Sequence, residues 1–368
     1  MKDERAHLQL FDLIARDWIM ASPATGVTFN EDDSAVAFAC ADGSIHLATT
    51  ADKEASNIRV RRAVDTARVT IAPRKGTHAP LKAADYTDGR SSAVVAHGAR
   101  NFVYGKDNGR MNTLTPGGLS VYLPAKAAGP VSAVAASPDG GKLAFCCEDS
   151  VCLTAASGDG LIIISVPAGP NGLAFSPDGT SLAVSHDRGI TVLAVADPTL
   201  DAVTLPVAGS PLPLQWAAGG QWLAACLGAG GFCVLNVATG VVRTHGNFPA
   251  PVRSLAFGEP TRSVVAGGAF RVAAWALDDN SAITTGKAGL VLINAVATCP
   301  ARNLVAVGYA NGLLSLAEIG RPSEILLRED TGAGITALAW SSDGRFLAVA
   351  GSDGSAALVD FPDSMFKS

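Results

Sequence analysis

Apolar residues along this chain fall in runs too short for helices, and polar turns separate them. Leu143-Ala144-Phe145, Leu182-Ala183-Val184, Leu223-Ala224-Ala225 and Phe346-Leu347-Ala348-Val349 are built from small, β-branched and aromatic side chains. Brief unbroken apolar runs of this kind predict strands buried on both faces. Three of the turns that precede them are nearly identical: Ser137-Pro138-Asp139-Gly140, Ser176-Pro177-Asp178-Gly179 and Ser341-Ser342-Asp343-Gly344. In such a turn the aspartate bonds its own backbone and the glycine takes the left-handed corner, so these residues are read as hairpin chemistry and not as catalysts.

The pattern is periodic. Taking the last inward residue before each first turn as an anchor gives Phe29, Ala96, Ala136, Phe175, Trp216, Phe257, Thr298 and Trp340, spaced by 67, 40, 39, 41, 41, 41 and 42 residues. A second hairpin glycine (Gly43, Gly189, Gly230, Gly312 and Gly354) follows five of the anchors by 14 residues. A repeat near 41 residues matches four short antiparallel strands and their turns, which is one blade of a propeller. The prediction is therefore an all-β chain: a closed β-propeller of four-stranded antiparallel blades, eight by the anchors, with seven as the alternative because the Ala96 repeat is degenerate. The last repeat supplies three strands, near Ile335 to Trp340, Phe346 to Ala350 and Ala356 to Asp360. Its fourth must come from elsewhere, and the repeat offset places it near Asp17 to Met20, so the N-terminal segment is expected to close the ring and remove an open sheet edge. Residues 1–14 then form an N-terminal extension, residues 15–368 one propeller, and the long first interval an insertion at about 50–76. Part of that interval, near Arg68 to Ile71, is expected to be an outer strand.

Over about Ala15 to Asp360 this arrangement resembles the WD-repeat family. The resemblance is to period and turns; the third-strand ends read Trp275-Ala276, Leu235-Asn236 and Val359-Asp360 where the family often has Trp-Asp. It implies a non-catalytic protein-protein interaction scaffold that binds on the face formed by the second-to-third-strand turns. Those turns are expected to display Lys106, His186, Arg188 and Tyr309, alongside Asp and Asn residues that the turns themselves require. The rival reading is a propeller enzyme or small-molecule binder using the central channel, which would need polar residues converging from the first strands.

Composition narrows the classes. Lys and Arg number 28 against 33 Asp and Glu, a net charge of −5 that gives no global attraction to nucleic acid or anionic lipid. The expected partners are one or more proteins. No secretory signal is read at the N-terminus, and seven scattered cysteines suit a reducing compartment, so cytoplasmic residence and no disulfide framework are expected, with a monomer as the default. The charge-free stretch between Asp201 and Arg243 is broken by Pro206, Pro211 and Pro213 and by Gly219, Gly220, Gly228, Gly230 and Gly231, and is not read as a membrane span.

Candidate chemistry is sparse. Ser185, His186 and Asp187 are neighbours on one strand and so point to alternating faces, which argues against a catalytic triad. Cys146, Cys147 and Cys152 lack the converging geometry of a zinc site. No catalytic residue, cofactor or metal ligand is assigned. The sharpest asymmetry lies within the insertion, where Arg59, Arg61, Arg62, Arg68, Arg74 and Lys75 have only Asp65 among them between residues 59 and 75. Arg59, Arg61 and Arg62 are the candidates for a basic arm that meets an acidic partner.

Overall fold

Eight antiparallel sheets close into a ring in the computed structural model, which describes residues 8–62, 69–84, 89–166, 169–197, 202–207, 211–227 and 230–366. The first strands of blades 1 to 8 are Ala24–Phe29, Ser91–His97, Val131–Ala136, Gly172–Phe175, Leu214–Trp216, Leu255–Gly258, Ile293–Thr298 and Ile335–Trp340. Each ends at its anchor or one residue beyond it. Every first strand touches the first strands of both neighbouring blades, and these contacts run unbroken around the ring from blade 1 to blade 8 and back.

Closure follows the expected route. Ala15–Ile19 pairs with the third strand of blade 8, Ser355–Asp360, with Asp17 opposite Ala357 and Trp18 opposite Ala356. The degenerate Ala96 repeat is a complete four-stranded blade. Before the closing strand, the short helix Leu10–Ile14 buries Phe11 and Ile14 against the hydrophobic cluster shared by blades 7 and 8.

Small residues in the second strands let the blades approach. Ala144, Ala183, Ala224, Ala306 and Ala348 are fully buried, and the larger side chains of the adjacent blade fill the space they leave. Blade 3 thus packs Ala144, Cys146 and Val151 against Phe175, Leu182 and Val184 of blade 4. At Gly308 of blade 7 a Cβ would lie 2.6 Å from Cγ2 of Ile335 in blade 8, so only glycine fits. The anchors add polar ties between blades: Trp340 donates Nε1 to the Ala297 carbonyl at 3.0 Å, Trp216 donates Nε1 to Ala174 at 3.0 Å, and Thr298 donates its hydroxyl to Phe257 at 2.6 Å.

The repeated turns work as their composition implies. Ser137, Ser176 and Ser341 donate their hydroxyls to Asp139, Asp178 and Asp343 at 2.5, 2.6 and 2.6 Å. The same hydroxyls accept the backbone N–H groups of Lys142, Ser181 and Phe346, which start the second strands.

Two parts of the strand pattern differ from expectation. The outer strand of blade 1 is Lys82–Ala83, whereas Val69–Ile71 pairs with Val60–Arg62 in a separate hairpin. Arg68 itself lies outside the described residues. The hairpin and the helical turn Ser56–Arg59 use up the extra residues of the long interval before the chain returns to the sheet. Blade 6 has three strands, its third strand Ala273–Ala276 being extended only by a bridge from Trp275 to Ala282. Beyond that bridge the chain leaves blade 6, and Gly286 donates its N–H to Arg321 of blade 7. No helix among the described residues is long and apolar enough to cross a membrane.

Candidate functional site

The insertion is built into the seam of the ring. Arg16, on the closing strand and almost fully buried, donates to the Thr49 carbonyl at 2.6 Å and lies 3.7 Å from Asp52. Arg74 forks onto both oxygens of Asp52, and the Glu54 N–H adds a third donor at 3.0 Å. Burial alone would raise the Asp52 carboxyl, but the Arg74 hydrogen bond, the Glu54 N–H and the two guanidinium charges outweigh it and hold the group at about 2. The insertion also reaches blade 8 directly: Ser56 donates its N–H to Asp360 at 2.7 Å, Asp363 donates to Asn57 at 2.8 Å, and Trp18 donates Nε1 to Ala79 at 2.9 Å. These contacts straddle the junction of blades 8 and 1.

That placement corrects the expectation of a partner-binding basic arm at Arg59. Arg59 is buried, with its guanidinium on the carbonyls of Glu54 and Ala72 at 2.8 and 2.7 Å. Arg61 is exposed and donates to its own hairpin at Ile58 and Val60. Of Arg62 the structure describes the backbone alone, in the hairpin strand.

Three of the four turn candidates are also buried, which corrects the expectation that the turns display them. Lys106 is 1% exposed, its ammonium lying 5.9 and 5.6 Å from the ring centres of Tyr104 and Tyr122. His186 accepts the Arg188 N–H on Nδ1 at 3.2 Å, so its proton sits on Nε2, which donates to Thr191 at 2.9 Å. Its neighbour Ser185 donates instead to Asn171, so no triad forms. Tyr309 donates to Glu324 at 3.0 Å, and both line a cavity of about 300 Å³ between blade 7 and the segment from Lys287 to Val291. Only Arg188 stands in solvent.

The seven cysteines are free and buried, and burial pushes the thiols of Cys146 and Cys152 up to about 12 and about 11. Among the described residues no group of three His, Cys, Asp or Glu is placed to hold a metal ion.

The two ends of the channel differ. On the face of the first-to-second-strand turns, a cavity of about 430 Å³ is lined by Trp216, Phe257, Val296 and Trp340, with Glu259 as its one charged residue. On the face of the second-to-third-strand turns, a cavity of about 500 Å³ opens between blades 6, 7, 8 and 1, lined by Arg253, Asn294, Thr336 and Thr25. These four residues occupy one repeated position, four before the anchor. Its equivalents elsewhere are Ser92, Ser132, Asn171 and Leu212. In blades 1, 2, 3, 7 and 8 this position falls where the register with the second strand slips, at a bulge that turns the side chain toward the mouth. Thr25, Ser92 and Thr336 donate to the second-strand carbonyls of Ala39, Gly105 and Ala350, which gives their hydroxyls a structural use. Arg253 has no such use: it is exposed, and among the described residues its guanidinium has no hydrogen-bond or ion-pair partner. Sequence reasoning missed this ring, although counting back four from each anchor finds it.

Known proteins agree with the architecture. The family model for the anaphase-promoting complex subunit 4 WD40 domain matches residues 296–365. The C-terminal WD40 domain of Sif2 superposes with a TM-score of 0.64 at 16% identity, covering 96% of this chain and 99% of that one. U3-55K gives a TM-score of 0.57 at 18% identity over 95% and 98% of the two chains. No curated protein matches the sequence. With eight blades on one repeat and one turn chemistry, the chain has the β-propeller fold of these WD40 domains.

Proposed function

We propose that the chain is a non-catalytic interaction scaffold whose protein partner seats an acidic residue at the channel mouth, on Arg253. The observation that carries this reading is an exposed, unpaired guanidinium in the wall of a cavity of about 500 Å³, surrounded by hydroxyl and amide side chains. A guanidinium offers a planar fork of donors that fits a carboxylate. Support for a non-catalytic role comes from the channel cavities, each of which holds one charged residue, Arg253 or Glu259, and so lacks the paired acid and base groups that channel catalysis would use. WD40 propellers generally mediate protein-protein contacts, in keeping with this reading. Seven free thiols suit a reducing compartment, and we place the protein in the cytoplasm.

The test is affinity capture from native extract with the intact chain, Arg253→Glu, and Gln215→Arg at the opposite mouth. A stoichiometric protein held by the intact chain and Gln215→Arg, and lost from Arg253→Glu, is the expected result. A partner retained equally by all three would overturn the assignment of the mouth.

A further inference from the structure

An outer strand exposes one sheet edge per blade, and such edges are normally blunted by charge or proline. Seven of the eight blades have a fourth strand, and six of those strands obey the rule. Lys82 protects blade 1, Pro124 and Lys126 blade 2, Pro206 blade 4, Arg243 blade 5, Glu324 and Arg328 blade 7, and Arg16 and Asp17 the closing strand of blade 8. The exception is blade 3, whose outer strand Ile162–Ser165 carries neither. It lies in an uncharged stretch from Gly160 to Pro177, and Ile162 and Ile163 are both exposed, Ile163 to 64%. Val121, on the outer strand of blade 2, is exposed as well.

We propose that this edge pairs with the same strand of a second copy of the chain, forming a two-fold symmetric dimer. The backbone is set for it. Val166 donates its N–H inward to Asp149, so by alternation Ile162 and Ile164 turn their peptide groups into the blade, while Leu161, Ile163 and Ser165 turn theirs outward. An antiparallel pairing centred on Ile163 sets Leu161 opposite the copy's Ser165 and Ile162 opposite its Ile164. The two Ile163 residues then exchange N–H and C=O. Residues 160–166 pair only with uncharged residues, so no like charges meet. The occupant is a second copy because the strand is complementary to itself, and a two-fold contact closes after one partner. The pairing is on the rim and leaves the channel mouth open, so it stands or falls independently of the role given to Arg253.

Sedimentation of the full chain over a concentration series tests the proposal. Dimers are expected for the native chain and for Val203→Lys on the outer strand of blade 4, and monomers for Ile163→Lys. At a concentration low enough for the native chain to be monomeric, the unfolding midpoint of Ile163→Lys should match it, because the side chain stands mostly in solvent. Ile163→Cys should form a disulfide between copies on mild oxidation, since directly opposed, hydrogen-bonded residues are about 5.5 Å apart at Cα, within disulfide range. A native chain that sediments as a monomer throughout would overturn the proposal. So would a dimer that survives Ile163→Lys, or assembly that continues past the dimer.

Discussion

Replacing Asp52 with Asn removes the charge at the seam while keeping the side-chain shape. Asp52 has a side-chain exposure of 11% and carries a carboxyl held at about 2 against an ordinary 3.8. Through proton linkage that difference is worth about 2 kcal/mol of folding stability at neutral pH. The sign is that of a depressed acid: the stabilisation is complete above pH 3.8 and is lost as pH falls through about 2. At pH 3 about half should remain, or roughly 1 kcal/mol by the same linkage. Burial pushes the Arg16 guanidinium down, against the pull of Asp52. That group stays charged because its ordinary value lies far above neutrality, so the titration of Asp52 is what reports on the seam. Urea unfolding of Asp52→Asn and the native chain at pH 7 and pH 3, with the exposed Asp17→Asn as control, measures both the penalty and its pH dependence. The reasoning is refuted if Asp52→Asn costs no more than Asp17→Asn, or if its penalty is the same at both pH values.

Other positions give independent checks. Gly308→Ala should lower stability by about 1–3 kcal/mol in chemical unfolding, because its methyl group would collide with Ile335 across the blade 7 and 8 interface. Trp340→Phe leaves the Ala297 carbonyl without its indole donor and should cost about 2 kcal/mol by calorimetry. His245 is pushed below its ordinary value by burial; it stacks on Phe232 and meets Trp275 at a tilt. A folded-state histidine depressed in this way makes the unfolded chain the better proton acceptor, so stability falls as pH drops below about 6.5. His245→Phe should make that loss shallower between pH 7 and pH 5 without abolishing it, since burial depresses His46, His97 and His186 as well. All seven thiols are buried, so a thiol reagent should label none rapidly in the native protein and all seven in denaturant.

Much of the architecture was legible because each repeat solves the same local problem. Ser137, Asp139 and Gly140 specify a hairpin wherever they occur, and a strand between two packed blades must be short and apolar. Blade number and ring closure follow from counting those features. The path of the insertion was not legible, because Arg59, Arg74 and Asp52 lie apart in sequence, and their pairing depends on the closing strand bringing Arg16 between them. A run of basic residues therefore resembled a solvated arm. Lys106 and His186 misled for a related reason. Both end second strands next to turns, where polar side chains usually meet water, but their side chains fold back onto Tyr104 and Tyr122 and onto Thr191. The ring containing Arg253 went unseen because in five blades a bulge reverses the inward and outward alternation at that point, while Arg253 itself lies before its strand begins, where a two-residue period assigns no side.

The most direct test of the scaffold reading is hydrogen-deuterium exchange on the complex between the chain and whichever protein Arg253 retains. The account predicts new protection at residues 250–254, 292–295 and 334–337, around the channel mouth, with the opposite face near Gln215 and Glu259 unchanged. Protection confined to the opposite face or to the seam insertion would contradict it.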